Sequence, residues 1–185
     1  FANVIRTSSP DVRNNAAAID NLRDSFVKLS QELPVSFKVL SEIGTLGGQL
    51  GIDSSGMDEF VEVVAKLGAT TDLSVDRAAT ALGRFKALLA VPEEDFEELA
   101  SSILKVGVNS VATESQIVNV ATQISSMGAF AGLTAQDVVG LSGALASVGA
   151  APEISRGTLT RLFTLISRAV SGSGEELAKF AKISG

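Results

Sequence analysis

Five carboxylates crowd into a six-residue stretch, Glu93, Glu94, Asp95, Glu97 and Glu98, and carboxylates that close could share a proton or gather a divalent cation. Pro92 stands just before them, however, and Phe96, Leu99 and Ile103 recur among and after them at helical intervals. The same run therefore reads as the acidic first turn of an amphipathic helix, where the helix dipole favours negative charge. Gly44, Gly47, Gly48 and Gly51 suggest a second chemistry, a backbone cradle for phosphate. The Gly-Lys-Ser/Thr ending of such a loop is missing and no strand precedes it, so close packing of a helix backbone explains these glycines better. Arg156, Arg161 and Arg168 follow Glu153 with no acidic residue until Glu175. They could meet DNA or an acidic partner, or form a solvated face near a helix end.

No histidine or cysteine is available to join any of these groups. The commonest general base and metal ligand is missing, and so are thiolate chemistry and disulfides. These residue types and spacings point to no reaction; the expectation is a non-enzymatic domain with no catalytic, cofactor-binding or metal-binding residues. A net charge of −6 and a pI near 4.7 argue against a dedicated nucleic-acid binder, whose affinity comes from neutralising phosphates. Hydrophobic residues make up 45% and charged residues only 19%, with mean hydropathy +0.32, which suits dense packing of helices or burial within an assembly. The chain starts without Met, shows no basic head followed by an apolar core, and stops just after an amphipathic run; the expectation is a piece of a longer protein.

Helices are the elements that must position these groups. Val12, Ile19, Phe26 and Leu33 lie seven apart, Leu22 and Leu29 fall between them, and Ser9 with Pro10 supplies a helix start. Asn15 then sits on the second seam position, where a polar residue can set register. Residues 10–33 admit two readings: a self-associating coiled-coil rod with Val12, Asn15, Ile19, Leu22, Phe26, Leu29 and Leu33 as its seam, or an amphipathic helix packed on its own domain. Residues 35–50 read as a helix with Phe37, Leu40 and Ile43 inward.

The next stretch, LGATTDLSVDRAATALGRF at 67–85, reads as a helical hairpin. Met57, Phe60, Val64 and Leu67 form one apolar stripe, Gly68 follows as the expected C-cap, and Ser74 caps a second helix carrying Val75, Ala78, Leu82 and Phe85. Thr113 with Gln116 predicts a capping box before Ile117, Val120, Ile124 and Met127, and Thr134 precedes Val138, Leu141, Leu145 and Val148. Asp137 is the only charge between Ser115 and Pro152, so this stretch could be a core hairpin or a hydrophobic hairpin that enters a bilayer. Residues 171–174 read as a turn before a last helix from Glu175 to Ile183.

Punctuation residues recur sixty positions apart: Gly68 with Gly128, Leu73 and Ser74 with Leu133 and Thr134, Gly83 with Gly143, and Pro92 with Pro152. Phe60 aligns with Val120 and then Phe180. The expected architecture is all-α, a bundle of eight or nine short amphipathic helices arranged as hairpins, with repeat units 51–110 and 111–170. Residues 1–33 would be a heptad-like helix leading out of a rod, and 34–185 the helical module.

Residues 47–185 resemble the core region of bacteriophage tail tape measure proteins, through GGQLGI, LGATTDLSVDRAATALGRF, PEEDFEELASSILKVG, NSVATESQIV, GLTAQDVVGLSGALASVG and SGSGEELAKFAKISG in that order. In this resemblance the family-motif hairpin carries Gly68, Leu73, Ser74, Leu82 and Phe85. It implies a structural protein in the lumen or tip of a siphophage tail, made in the host cytoplasm, that sets tail length, scaffolds the tube and leaves ahead of the DNA. The implied partners are other copies of itself, tail tube and tail-tip proteins and assembly chaperones, with no specific nucleic acid. A membrane-active segment helping to form a DNA channel in the host envelope is the alternative role. Some members carry peptidoglycan-cleaving domains elsewhere, and no such motif occurs in this chain.

Overall fold

A computed structural model describes residues 1–149 together with residues 157, 160, 161 and 164. The described residues form nine α-helices and no strand: α1 Ala2–Thr7, α2 Pro10–Arg13, α3 Ala16–Glu32, α4 Phe37–Gln49, α5 Met57–Thr70, α6 Val75–Leu89, α7 Phe96–Val108, α8 Glu114–Phe130 and α9 Ala135–Ser147. A 3-10 turn, Glu93–Asp95, leads into α7. The chain is an all-α bundle, as the apolar periodicity predicts.

Side-chain caps set several helix starts. Ser36, Ser74, Thr113 and Thr134 each accept a hydrogen bond from the backbone N–H three residues on. Thr113 with Gln116 closes the expected capping box, and Thr134 forms a second with Asp137. Two ends are equally local. Gly51 and Gly132 take positive φ, +75° and +73°, and the following residues donate back into the helix, Ile52 to Gly47 and Leu133 to Gly128. Replacing Ser74 by Ala is expected to destabilise the chain by about 1 kcal/mol, read as a lower urea midpoint with unchanged slope.

Two expected boundaries differ. Residues 10–33 are not one helix: the chain breaks after Arg13, and Asn15 adopts an extended conformation in which its side chain accepts from the Ala17 and Ala18 amides. An asparagine that can satisfy two unpaired amides of a helix start competes with continuing the helix, so Asn15 is an exposed N-cap and not a seam residue. Gly68 is likewise not a C-cap. Helix α5 runs two residues past it to Thr70, and a Cβ on Gly68 would lie 2.9 Å from Val75 Cγ2. The glycine lets the start of α6 lie against the end of α5.

One hydrophobic core runs through the described residues, and the N-terminal segment belongs to it: Val4, Val12, Leu22, Phe26 and Leu29 are buried in the same cluster as Leu40, Phe60 and Phe85. The glycines of α4 permit this. A Cβ on Gly44 would sit 2.8 Å from the Phe26 ring, one on Gly47 2.8 Å from Met57 Sδ, and one on Gly48 2.6 Å from the Thr7 carbonyl oxygen.

Helix boundaries follow the sixty-residue spacing and extend it backwards. Helix α5 ends at Thr70 and α8 at Phe130; α6 begins at Val75 and α9 at Ala135. Upstream the spacing is fifty-nine, from Ala16 to Val75 and from Phe37 to Phe96. The packing recurs with it: α4 lies against α5 and α6 as α7 lies against α8 and α9, while α3 meets α5 as α6 meets α8.

Candidate functional site

The hairpin α5–α6 is held to its neighbours at both ends by polar groups from distant parts of the chain. At the turn, Leu73 is buried and Ser74 starts α6, while Asp72 reaches the first turn of α8. Asp72 Oδ1 accepts from the Ser115 amide at 2.8 Å, and Ser115 Oγ donates to the Asp72 carbonyl at 3.0 Å. A carboxylate supplied from another hairpin thus caps α8 beside that helix's own Thr113. At the far end, Lys86 Nζ donates to the Gly51 carbonyl at 2.9 Å, to Asp53 Oδ2 at 3.4 Å and to Glu93 Oε1 at 2.5 Å. Glu93 also accepts from the Asp53 amide at 2.8 Å. This one junction ties the α4–α5 loop, α6 and the 3-10 turn together.

These contacts define what the hairpin residues do. Leu82 and Phe85 are fully buried, Leu73 closes the turn and Ser74 caps, while Gly68 permits the close approach. The acidic run divides. Glu93 is nearly buried in the Lys86 junction, whereas Glu97 is exposed and lies 3.8 Å from Lys66. Among the described residues no group of acidic side chains is arranged to hold a metal ion. Residues sequence reasoning missed are Asp72, Lys86 and Glu93 as junction groups. Asp72 and Ser115 are forty-three positions apart, and no local pattern connects them.

Two shallow grooves flank this framework. One, about 250 Å³, lies between α6 and α8 and is lined by Thr80, Ala81 and Arg84 against Ser115, Val118 and Asn119. The other, about 310 Å³, lies between α3 and α5 and is lined by Asn21 and Leu22 against Ser55 and Asp58. The first carries both signs, Arg77 and Arg84 with Asp76, whereas the charged residues lining the second, Asp11 and Asp58, are both acidic.

The residues expected to self-associate are placed as follows. Val12, Leu22, Phe26 and Leu29 are buried in the chain's own core, and Ile19 and Leu33 pack against it half-buried. Phe26 is 0% exposed, meets Phe1 edge-on at a centroid distance of 5.8 Å and abuts Gly44. A face already covered by α1, α4 and α5 cannot also be an open coiled-coil seam, so the rod reading fails for this segment and the packed-helix reading holds. In α9 the buried face is Ala135, Val138, Val139, Ser142 and Gly143, rotated from the expected stripe, and Leu141 and Leu145 are only half-buried. Arg161 is exposed; Arg156, Arg168, the turn at 171–174 and the last predicted helix lie outside the described residues.

The pKa shifts follow the contacts. Burial works to raise Asp72, but hydrogen bonds from Thr113 and Ser115 outweigh it and hold the carboxyl below its ordinary 3.8. Asp137 is lowered by its bonds with Thr134. Asp58 and Glu59 are raised, chiefly by desolvation, with the Glu97 charge adding at Glu59. A lowered carboxylate contributes stability that is present above 3.8 and lost as pH falls through its folded value. A raised one has the opposite sign: its contribution is present at low pH and lost as pH rises through its folded value. Stability is therefore expected to peak at mildly acidic pH and fall below 3.8, and Asp72→Asn should flatten that acid limb in urea titrations run at a series of pH values.

Fold and framework together define a helical packing module whose polar groups join helices. A family model described as phage-related minor tail protein matches residues 23–184, and the chain belongs to that family. It is a component of a phage tail, and other tail components are its partners. No curated protein and no solved structure matches it.

Proposed function

We propose that this chain is a module of a tape measure protein, the tail component that sets tail length, scaffolds tube assembly and leaves ahead of the DNA. The observation that carries this reading is the family match over residues 23–184, which covers the ordered blocks from GGQLGI to the closing SGSGEELAKFAKISG, all but the final Gly185. The mechanism is steric: a long helical protein occupies the tube lumen, and tube growth ends where that protein ends. This module would be a compact knob on it, contacting sister copies, tail tube, tail-tip proteins or chaperones through surfaces other than the α3 stripe, in a structural and not a catalytic role. Its virion site would be the lumen or tip of the tail, after assembly in the host cytoplasm.

The bilayer alternative draws no support from residues 115–149. No helix among the described residues is long and apolar enough to cross a membrane, and Ile117, Val120, Ile124, Val138 and Val139 are core residues. The test is an in-frame deletion in the parent gene outside this module, with tail lengths measured by electron microscopy. Tails shortened in proportion to the residues removed are expected. Tails of unchanged length would remove the tape measure role.

A further inference from the structure

Three helices start at matching places, α3, α6 and α9, with N-caps Asn15, Ser74 and Thr134. The first two are each covered along one side by the helix that opens the following unit. Leu22 of α3 faces Ser55 and Asp58 at the start of α5, and Ala81 of α6 faces Ser115 and Val118 of α8. The pairing is in register, because Leu22 and Ala81 are fifty-nine apart while Ser55 and Asp58 precede Ser115 and Val118 by sixty. Leu22 is 7% and Ala81 2% exposed. Their counterpart on α9 is Leu141, which is only half-buried; beside it Gly140 has open space where a Cβ would stand, and Val148 is 78% exposed.

We infer that this side of α9 is the docking surface for the opening helix of a further unit, and that its occupant is residues 175–185 of the same chain. The spacing places them there, since α8 begins at Glu114 and sixty positions on is Gly174. So does their chemistry. The positions that α5 and α8 bury are Met57, Phe60 and Val61, then Ile117, Val120 and Ala121. The same positions in 175–185 are Leu177, Phe180 and Ala181. A stripe of that kind matches Gly140, Leu141 and Ala144, the uncharged stretch that α9 presents beyond Asp137 of its first turn, and it continues the interface already made twice in this fold.

The chain has no cysteine, so introduced thiols report without background. Thr80 and Asn119 are both exposed and line the groove between α6 and α8; the corresponding positions sixty residues on are Gly140 and Lys179. In the 185-residue chain, Thr80→Cys with Asn119→Cys is the reference pair and Gly140→Cys with Lys179→Cys the test pair, both treated with a short bifunctional maleimide. The expected result is a cross-link within one chain for both pairs, at monomer mass and with the same peptide pattern after digestion. A cross-link joining two chains would assign the surface to a second copy and overturn the inference. No cross-link for the test pair, with the reference pair linked, would overturn it as well.

Discussion

Val138→Asp should leave the chain unfolded, or so close to the transition that its urea baseline for the folded state is lost. Val138 is fully buried, and its Cγ2 lies where a Cβ on Gly128 would come within 2.5 Å. A carboxylate there gains no partner from its own helix or from α8, since neither carries a basic residue, and Lys105 of α7, the other helix packed on α9, is exposed to solvent. An uncompensated buried charge costs about 3–5 kcal/mol, a large part of the 5–15 kcal/mol typical of a domain. Leu141→Asp supplies the contrast. The apolar stripe read from sequence treats the two positions alike, but Leu141 is half-buried, so its substitution should lower the urea midpoint by a much smaller amount. Equal losses at 138 and 141 would contradict the orientation of α9.

Phe26→Ala should destabilise the single chain by about 3–5 kcal/mol, because it empties a fully buried ring site bounded by Phe1, Gly44 and the core beneath α4. The loss should be the same at low and high protein concentration, as unfolding of one chain requires. A rod seam would behave otherwise. Were Phe26 a contact between sister chains, its removal would shift oligomeric state and make the transition concentration-dependent, and sedimentation at two concentrations separates the outcomes. The α4 glycine reports on the same contact from the other side. A Cβ on Gly44 would push into the Phe26 ring, so Gly44→Ala should be harmful in the native background and partly relieved alongside Phe26→Ala.

Helix existence and type, most N-caps and the family were legible in the residues, because each depends on neighbours within a few positions. Ser74 and Thr113 meet their amides three residues on, and an apolar residue every three or four positions suffices to mark α5, α6 and α8. Even the sixty-residue echo was readable, since it lives in the glycines, caps and prolines that punctuate helices. Which face each helix buries was legible only where the opposite face is polar. In α9 nearly every position is apolar or small, so periodicity selects no face; contact of Gly143 with Val106 and of Val138 with Gly128 does. Asn15 shows the same division. Its place in a heptad is a fact of the sequence, but that it caps α3 through the Ala17 and Ala18 amides instead of continuing a helix is seen only in the structure. The junctions of Asp72 with Ser115 and of Lys86 with Asp53 and Glu93 were decided by the tertiary structure alone, because a charge on the surface of one helix says nothing about which loop folds back to meet it.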